Sequence, residues 1–252
     1  MPRAFHSFRV EAIIIKHMET GEADRLVTMF SREQGKLRAR AKGVRKIRSR
    51  RAGHLEPFTH VTLQLSKSKD YPIITQAETI EGFTPLRDSL TLLGYASYVA
   101  ELLDKFTYEE GEHAALFHLF RDTLNRLCAP DADHRLVLRY YEFRLLDNVG
   151  FRPELFHCVI CGEEIKAESQ YFSAARGGVV CQNCRHKVEG TVPISVDALR
   201  FLRHFQRSPF GEAARAQPSP SAHREMELVM QHYLTYTLER GLNTPKFMRL
   251  VG

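Results

Sequence analysis

The 252-residue chain has no tryptophan and only five cysteines. Without tryptophan the largest side chain for stacking on a nucleobase is missing. Phe30, Phe58 and Tyr71 are the only aromatics near the basic segment described below, and each suits a core better than an exposed platform. Five cysteines are too few and too clustered for a disulfide framework, which leaves metal binding as the better reading. No run approaches the roughly 18 apolar residues of a membrane span, and the opening MPRAFHSFRV lacks the continuous apolar core of a signal peptide. A cytoplasmic protein without a membrane partner is expected. The chain contains no P-loop, no G-x-G-x-x-G, no G-x-S-x-G and no H-E-x-x-H, so neither catalysis nor a small-molecule substrate is expected.

What is present is concentrated charge. Ten of the twenty positions 32–51 are Arg or Lys and Glu33 is the only acid, which makes this window +9 in a chain of net charge +6. The rest of the chain is therefore net acidic, so the basic character is local rather than a general solubility device. Crowded like charges repel unless a polyanion or local acids offset them. In GKLRARAKG the residues alternate, placing Lys36, Arg38, Arg40 and Lys42 on one side of a strand and Leu37, Ala39 and Ala41 on the other. Beyond Gly43 the alternation stops. VRKIRSRR is expected to be a mobile loop from which Arg45, Lys46, Arg48, Arg50 and Arg51 reach toward phosphates. With few aromatics nearby, binding should be dominated by the nucleic-acid backbone and depend steeply on salt.

Four further runs read as strands, at 10–16, 25–31, 58–65 and 73–83. Five short strands in the first domain suggest a small barrel; the OB-fold is the usual five-stranded barrel that binds oligonucleotides, and SH3-like barrels remain open on strand count alone. After Pro85 the period becomes helical, with one stripe through Leu92, Tyr95, Val99, Leu102 and Phe106 and a second through Leu93, Ala96, Ala100 and Leu103, then helices at 112–128 and 133–148. Ser195 and Pro220 open two more helices, and residues 208–221, rich in Pro, Ser, Ala and Gly, read as a flexible connection. The expected class is α+β: an OB-fold domain at 1–83, then a helical domain at 84–157 and 188–252 interrupted by a cysteine module at 158–187.

Cys158-x2-Cys161-x19-Cys181-x2-Cys184 has the spacing of a four-thiolate structural zinc site, with Gly162 suited to the knuckle turn. A module of about 35 residues has too little core of its own, so one zinc ion would supply much of its folding energy. His157 and His186 flank the knuckles as alternative ligands, and Cys128 reads as a small buried apolar residue. His54-Leu55-Glu56 resembles the H-x-E of zinc deaminases. Against that reading, the cysteine pair lies far along the chain, no proline precedes Cys158, and Cys181 and Cys184 would have no role. Glu56 is expected instead to lead into a turn at Pro57.

The stretch GEADRLVTMFSREQGKLRARAKGVRKIRSRRAGHLEPFTHVTLQL, followed by TQAETIEGF, resembles the N-terminal domain of the RecO family of bacterial recombination and repair mediators. The specific part is Glu22-Ala23-Asp24, Gly35-Lys36, Ala41-Lys42-Gly43 and Leu55-Glu56-Pro57-Phe58. The order of helices, cysteine insert and helices is similar over essentially the whole chain. The resemblance implies an OB-fold, a helical C-terminal domain and a non-enzymatic, nucleoid-associated protein. It implies binding of single- and double-stranded DNA, strand annealing, and loading of the RecA recombinase together with RecR on strands coated by single-strand binding protein. A helical-domain contact for the acidic tail of that coating protein is implied as well. The residues alone also leave open an RNA- or transcription-associated protein with an OB barrel and a zinc ribbon.

Overall fold

A computed structural model describes residues 7–108 and 113–238. The chain divides by compactness into two units, the first containing Met1–Pro130 and the second Asp131–Phe247.

The first unit is built on five strands: β1 (Ser7–Thr20), β2 (Asp24–Ser31), β3 (Gly35–Ala41), β4 (His60–Ser66) and β5 (Ile73–Glu81). β1 is twice the expected length. Its polar end, KHMET, stays extended because Lys16 to Thr20 pair with Thr28 to Asp24 across a tight turn. The first half of β1 pairs with β4, and a register shift between Ile14 and Lys16 lets the strand bend from one neighbour to the other. β3 and β5 meet in parallel at Arg40 and Ile73. The barrel closes in the order β1-β2-β3-β5-β4, which is the OB-fold. Its interior is apolar, with Ile14, Met29, Ala39, Leu63 and Leu65 among the fully buried side chains.

A second apolar row runs across the outside. Ile13, Phe30 and Lys36 are register partners on β1, β2 and β3, and Ile13 and Phe30 are wholly buried. This row is the seat of the helices α1 (Pro85–Asp88), α2 (Leu90–Phe106) and α3 (Ala114–Cys128). Phe30 stacks on His113 just before α3, and His60 of β4 meets Phe117 edge-on. The change from strand to helix falls between Glu81 and Pro85. The packing boundary falls later, at Pro130, because α1 to α3 cover the barrel wall.

Asp104 on α2 is the polar fastener of this joint. Its carboxylate takes Lys36 Nζ at 2.6 Å and Lys16 Nζ at 2.5 Å, and Lys36 also donates to the carbonyl oxygens of Asp104 and Thr107. Burial pushes the Asp104 carboxyl up, but the two ammonium groups outweigh it and hold the pKa below its ordinary value. A lowered folded-state pKa stabilises the fold at neutral pH, and that contribution is lost as pH falls through the lowered value. Asp104→Ala leaves Lys36 buried without its counter-ion. It should cost about 3 kcal/mol, read as a lower melting temperature of the first unit at pH 7 whose deficit shrinks in acid. A deficit independent of pH would show that lost packing rather than lost charge is responsible.

The second unit starts with α4 (His134–Asn148), capped by Asp133, whose carboxylate accepts from the N–H groups of Arg135 and Leu136. From Leu136 to Phe143 every residue is buried, including Arg139 and Glu142, which pair at 2.8 Å. A small sheet in the order β7-β6-β8 follows, from β6 (Gln170–Ser173), β7 (Gly178–Val180) and β8 (Val192–Ile194). The unit continues with α5 (Val196–Arg207), α6 (Phe210–Ala213) and α7 (Pro220–Thr237). Ser195 and Ser219 cap α5 and α7 as their side chains suggest. The expected flexible connection at 208–221 is partly folded: Phe210 packs edge-on against Tyr140 and Ala213 is fully buried. Among the described residues no helix is long and apolar enough to cross a membrane. The C-terminal part of the expected helical domain, from residue 239, lies outside the described residues.

Candidate nucleic-acid interface and metal centre

The alternation of β3 holds. Ala39 and Ala41 are fully buried in the barrel, which turns Lys36, Arg38 and Arg40 to the outer wall. Outside does not mean exposed. Lys36, expected to face a ligand, is 9% exposed because α2 lies over that end of the strand and engages its ammonium group. Arg38 is half-buried and engaged within the protein, Arg40 is half-buried, and Lys42 is exposed. The cationic face thus starts at the middle of β3 and runs toward its C-terminal end.

The segment expected to be a mobile loop is a braced series of turns. Val44 is wholly buried in the barrel core. Gly43, at a φ of 63°, donates its N–H to Asp24 Oδ1 at 2.8 Å, and the N–H of Arg45 donates to the carbonyl of Ala23 at 3.0 Å. Arg51 closes the far end by donating to the carbonyls of Lys42 and Ile74. It is a structural clamp rather than a free phosphate ligand. Arg45 is partly spent too, pairing with Glu19 at 3.1 Å and donating to the carbonyl of Glu22. Lys42, Lys46, Arg48 and Arg50 remain exposed and without a hydrogen bond or ion pair from their side chains among the described residues.

Two cations escaped the sequence reading. Lys67 and Lys69 are exposed on the β4–β5 connection, and the N–H of Arg40 donates to the carbonyl of Pro72 at 2.8 Å, which sets that connection beside β3. The only signal for them is the OB-fold rule that this connection borders the binding face, and it applies only once β3 is known to lie beside β5. The aromatics contribute little, since Phe30 and Phe58 are buried and Tyr71 is half-buried. Glu56 does more than enter a turn. It binds Arg25 at 2.8 Å and His17 at 3.3 Å, tying the end of the basic segment to β1 and β2.

In the second unit the four cysteines converge. Their sulfurs all lie within 4.8 Å of one another, with Cys161 and Cys181 at 3.9 Å. A disulfide needs about 2.05 Å, whereas a tetrahedron with metal–sulfur bonds of about 2.3 Å has edges near 3.8 Å. The cluster fits a metal and not a cross-link. Each knuckle is a local device: Gly162, at a φ of 77°, donates its N–H to the Cys158 carbonyl at 2.8 Å, and Cys184 donates its N–H to the Cys181 carbonyl at 3.0 Å. The hairpin of β6 and β7 brings the second pair to the first, and the N–H of Val159 bonds the Val179 carbonyl at 3.0 Å. Gly178 permits this approach, because a Cβ there would sit 2.4 Å from the Glu154 carbonyl oxygen.

The electrostatics of the sulfurs suit a cation. Burial opposes ionisation of Cys158, but the N–H groups of Cys181, Cys161 and Ile160 aimed at its sulfur bring its pKa down to about 6. Cys184 is pushed up to about 12 by its burial and by the other three sulfurs. Four sulfurs this close cannot all carry charge unless a positive ion sits among them. His157 forms no part of the cluster; its ring lies 3.7 Å from Glu154.

These features define an OB-fold protein with a cationic face, extended by a helical unit that carries a four-cysteine cluster. Two family models cover the chain, Recombination protein O N terminal over residues 5–83 and Recombination protein O C terminal over residues 87–246. The chain belongs to the RecO family of DNA repair proteins. It is 38% identical over 241 residues to a DNA repair protein RecO of Roseiflexus sp. (strain RS-1), covering 96% of this chain and 84% of the relative. It is 35% identical over 245 residues to the protein of the same description from Syntrophomonas wolfei subsp. wolfei, covering 96% of each. A Dehalococcoides mccartyi relative (strain CBDB1), also described as a DNA repair protein RecO, is 34% identical over 235 residues, covering 93% of this chain and 92% of the relative.

Proposed function

We propose that the protein is a non-enzymatic mediator that binds single- and double-stranded DNA, anneals complementary strands and, with RecR, loads RecA onto DNA coated by single-strand binding protein. The observation that carries the DNA-binding step is the set of exposed cations Lys42, Lys46, Arg48 and Arg50, unpaired among the described residues and held on a braced turn at the end of an OB-fold face. Arg40, Lys67 and Lys69 extend the same surface. Their reach across two connections suits a flexible phosphate backbone, and neutralising phosphates on two strands together lowers the repulsion that opposes annealing. Base edges stay free to pair where the cations are engaged by phosphates, contacts that carry no sequence information.

Family membership is the support for the partners RecR, RecA and the acidic tail of single-strand binding protein. In the second unit Cys158, Cys161, Cys181 and Cys184 would hold one structural zinc ion. The metal supplies folding energy when bound, and four thiolates leave no coordination position for water or substrate. The thiolates and the N–H groups aimed at Cys158 join the two knuckles across the hairpin.

The test is strand annealing. The purified protein should bind single strands tightly at low salt and accelerate annealing of complementary strands in the presence of single-strand binding protein. Failure of both overturns the reading. A large preference for structured RNA over DNA would favour instead an RNA- or transcription-associated role for the same barrel.

A further inference from the structure

The turn that holds cations outward also holds out one apolar side chain. Ile47 is 105% exposed, the most exposed of the large hydrophobics among the described residues. A single exposed isoleucine is ordinary on a protein surface. The setting of this one is not, for it stands between the exposed cations Lys46 and Arg48 on a turn anchored by Val44 in the core and by the Arg51 clamp. The brace presents the side chain rather than letting it fold back onto the barrel.

We infer that Ile47 is an apolar wedge that packs against the faces of unpaired bases while Lys46 and Arg48 hold the flanking phosphates. This rests on the DNA-binding reading above and adds the source of discrimination between strand forms. A branched hydrocarbon gains nothing from a phosphate, so its favourable partner on a nucleic acid is a base face or a sugar edge. Of the nearby aromatics, Phe30 and Phe58 are inside the protein and Tyr71 is half-buried. In a single strand the base faces open at small cost. In a duplex they are closed by stacking, and a wedge reaches them only by forcing a step apart. Ile47 therefore favours single strands, whereas the surrounding cations serve both forms equally.

The experiment compares the parent, Ile47→Ser and Ile47→Met on a single strand containing 2-aminopurine and on its duplex, over a range of salt. Ile47→Ser should weaken single-strand binding about tenfold, the scale of one lost base contact, while leaving duplex binding and the salt slope unchanged. The 2-aminopurine fluorescence change on binding should fall with Ile47→Ser and return with Ile47→Met. Because the side chain touches nothing in the fold, the melting temperature should stay put; a drop would assign it a structural role and overturn the proposal. Equal weakening on both strand forms, or none on either, overturns the wedge alone. A parent protein that binds neither form overturns the DNA reading and the wedge together.

Discussion

Cys161→Ser should release the metal and unfold residues 158–187 while the barrel remains folded. The small sheet has strands of four, three and three residues, and its own apolar core reduces to a few side chains such as Ile165, Phe172, Val179 and Val180. A structural zinc site contributes roughly 10–16 kcal/mol at neutral pH, more than the net stability of most domains. Loss of one thiolate of four removes a metal bond, and once the ion leaves the remaining sulfurs have no counter-charge. Metal analysis should find the parent loaded with one zinc per chain and the variant depleted. Limited proteolysis should cut first within the cysteine segment. The core of the first unit and the helices that cover its outer row come from residues up to Pro130, so the barrel should resist cleavage at the parent's rate. A variant that keeps its full metal would show that the other three cysteines and a nearby group suffice. Coincident unfolding of barrel and module would show that the two units are not independent.

The parts of the molecule that the sequence discloses are those fixed by local spacing. Two C-x-x-C pairs are local, and so is the period-two alternation of β3 that sends Ala39 and Ala41 inward. The parts it hides depend on what comes to rest against them. Lys36 looks like its neighbours Arg38 and Arg40, but α2, about seventy residues later, brings Asp104 over it. Arg51 is one of a run of arginines, and only its bonds to the carbonyls of Lys42 and of Ile74, the latter on β5, single it out as a clamp. Lys67 and Lys69 join the basic face because β5 pairs beside β3 instead of following a simple meander. The segment 208–221 has the composition of a linker, yet Phe210 packs on Tyr140 of α4, a contact that composition does not reveal. The candidate DNA site was thus legible as a charge run, but which cations are free was not.

That distinction sets the larger functional prediction. Replacing Lys42, Lys46, Arg48 and Arg50 together with Ala should lower the salt slope of single-strand binding by about 2.8, at roughly 0.7 per phosphate contact. Such a slope change means that the affinity gap between parent and variant shrinks by about fiftyfold as salt rises from roughly 50 to 200 mM. None of the four side chains bonds to the protein among the described residues, so the melting temperature should not fall, and relief of repulsion should raise it slightly. Arg51→Ala and Lys36→Ala provide the contrast. Each removes one positive charge from the same window, but from a position that is clamped or buried. Both should lower stability, and Lys36→Ala should leave the salt slope unchanged. If all the variants changed the slope in proportion to the charge removed, binding would depend on the net charge of the segment. If only the exposed set does, the contacts are specific to the braced turn, and the buried cations serve to hold that turn and the barrel wall in place.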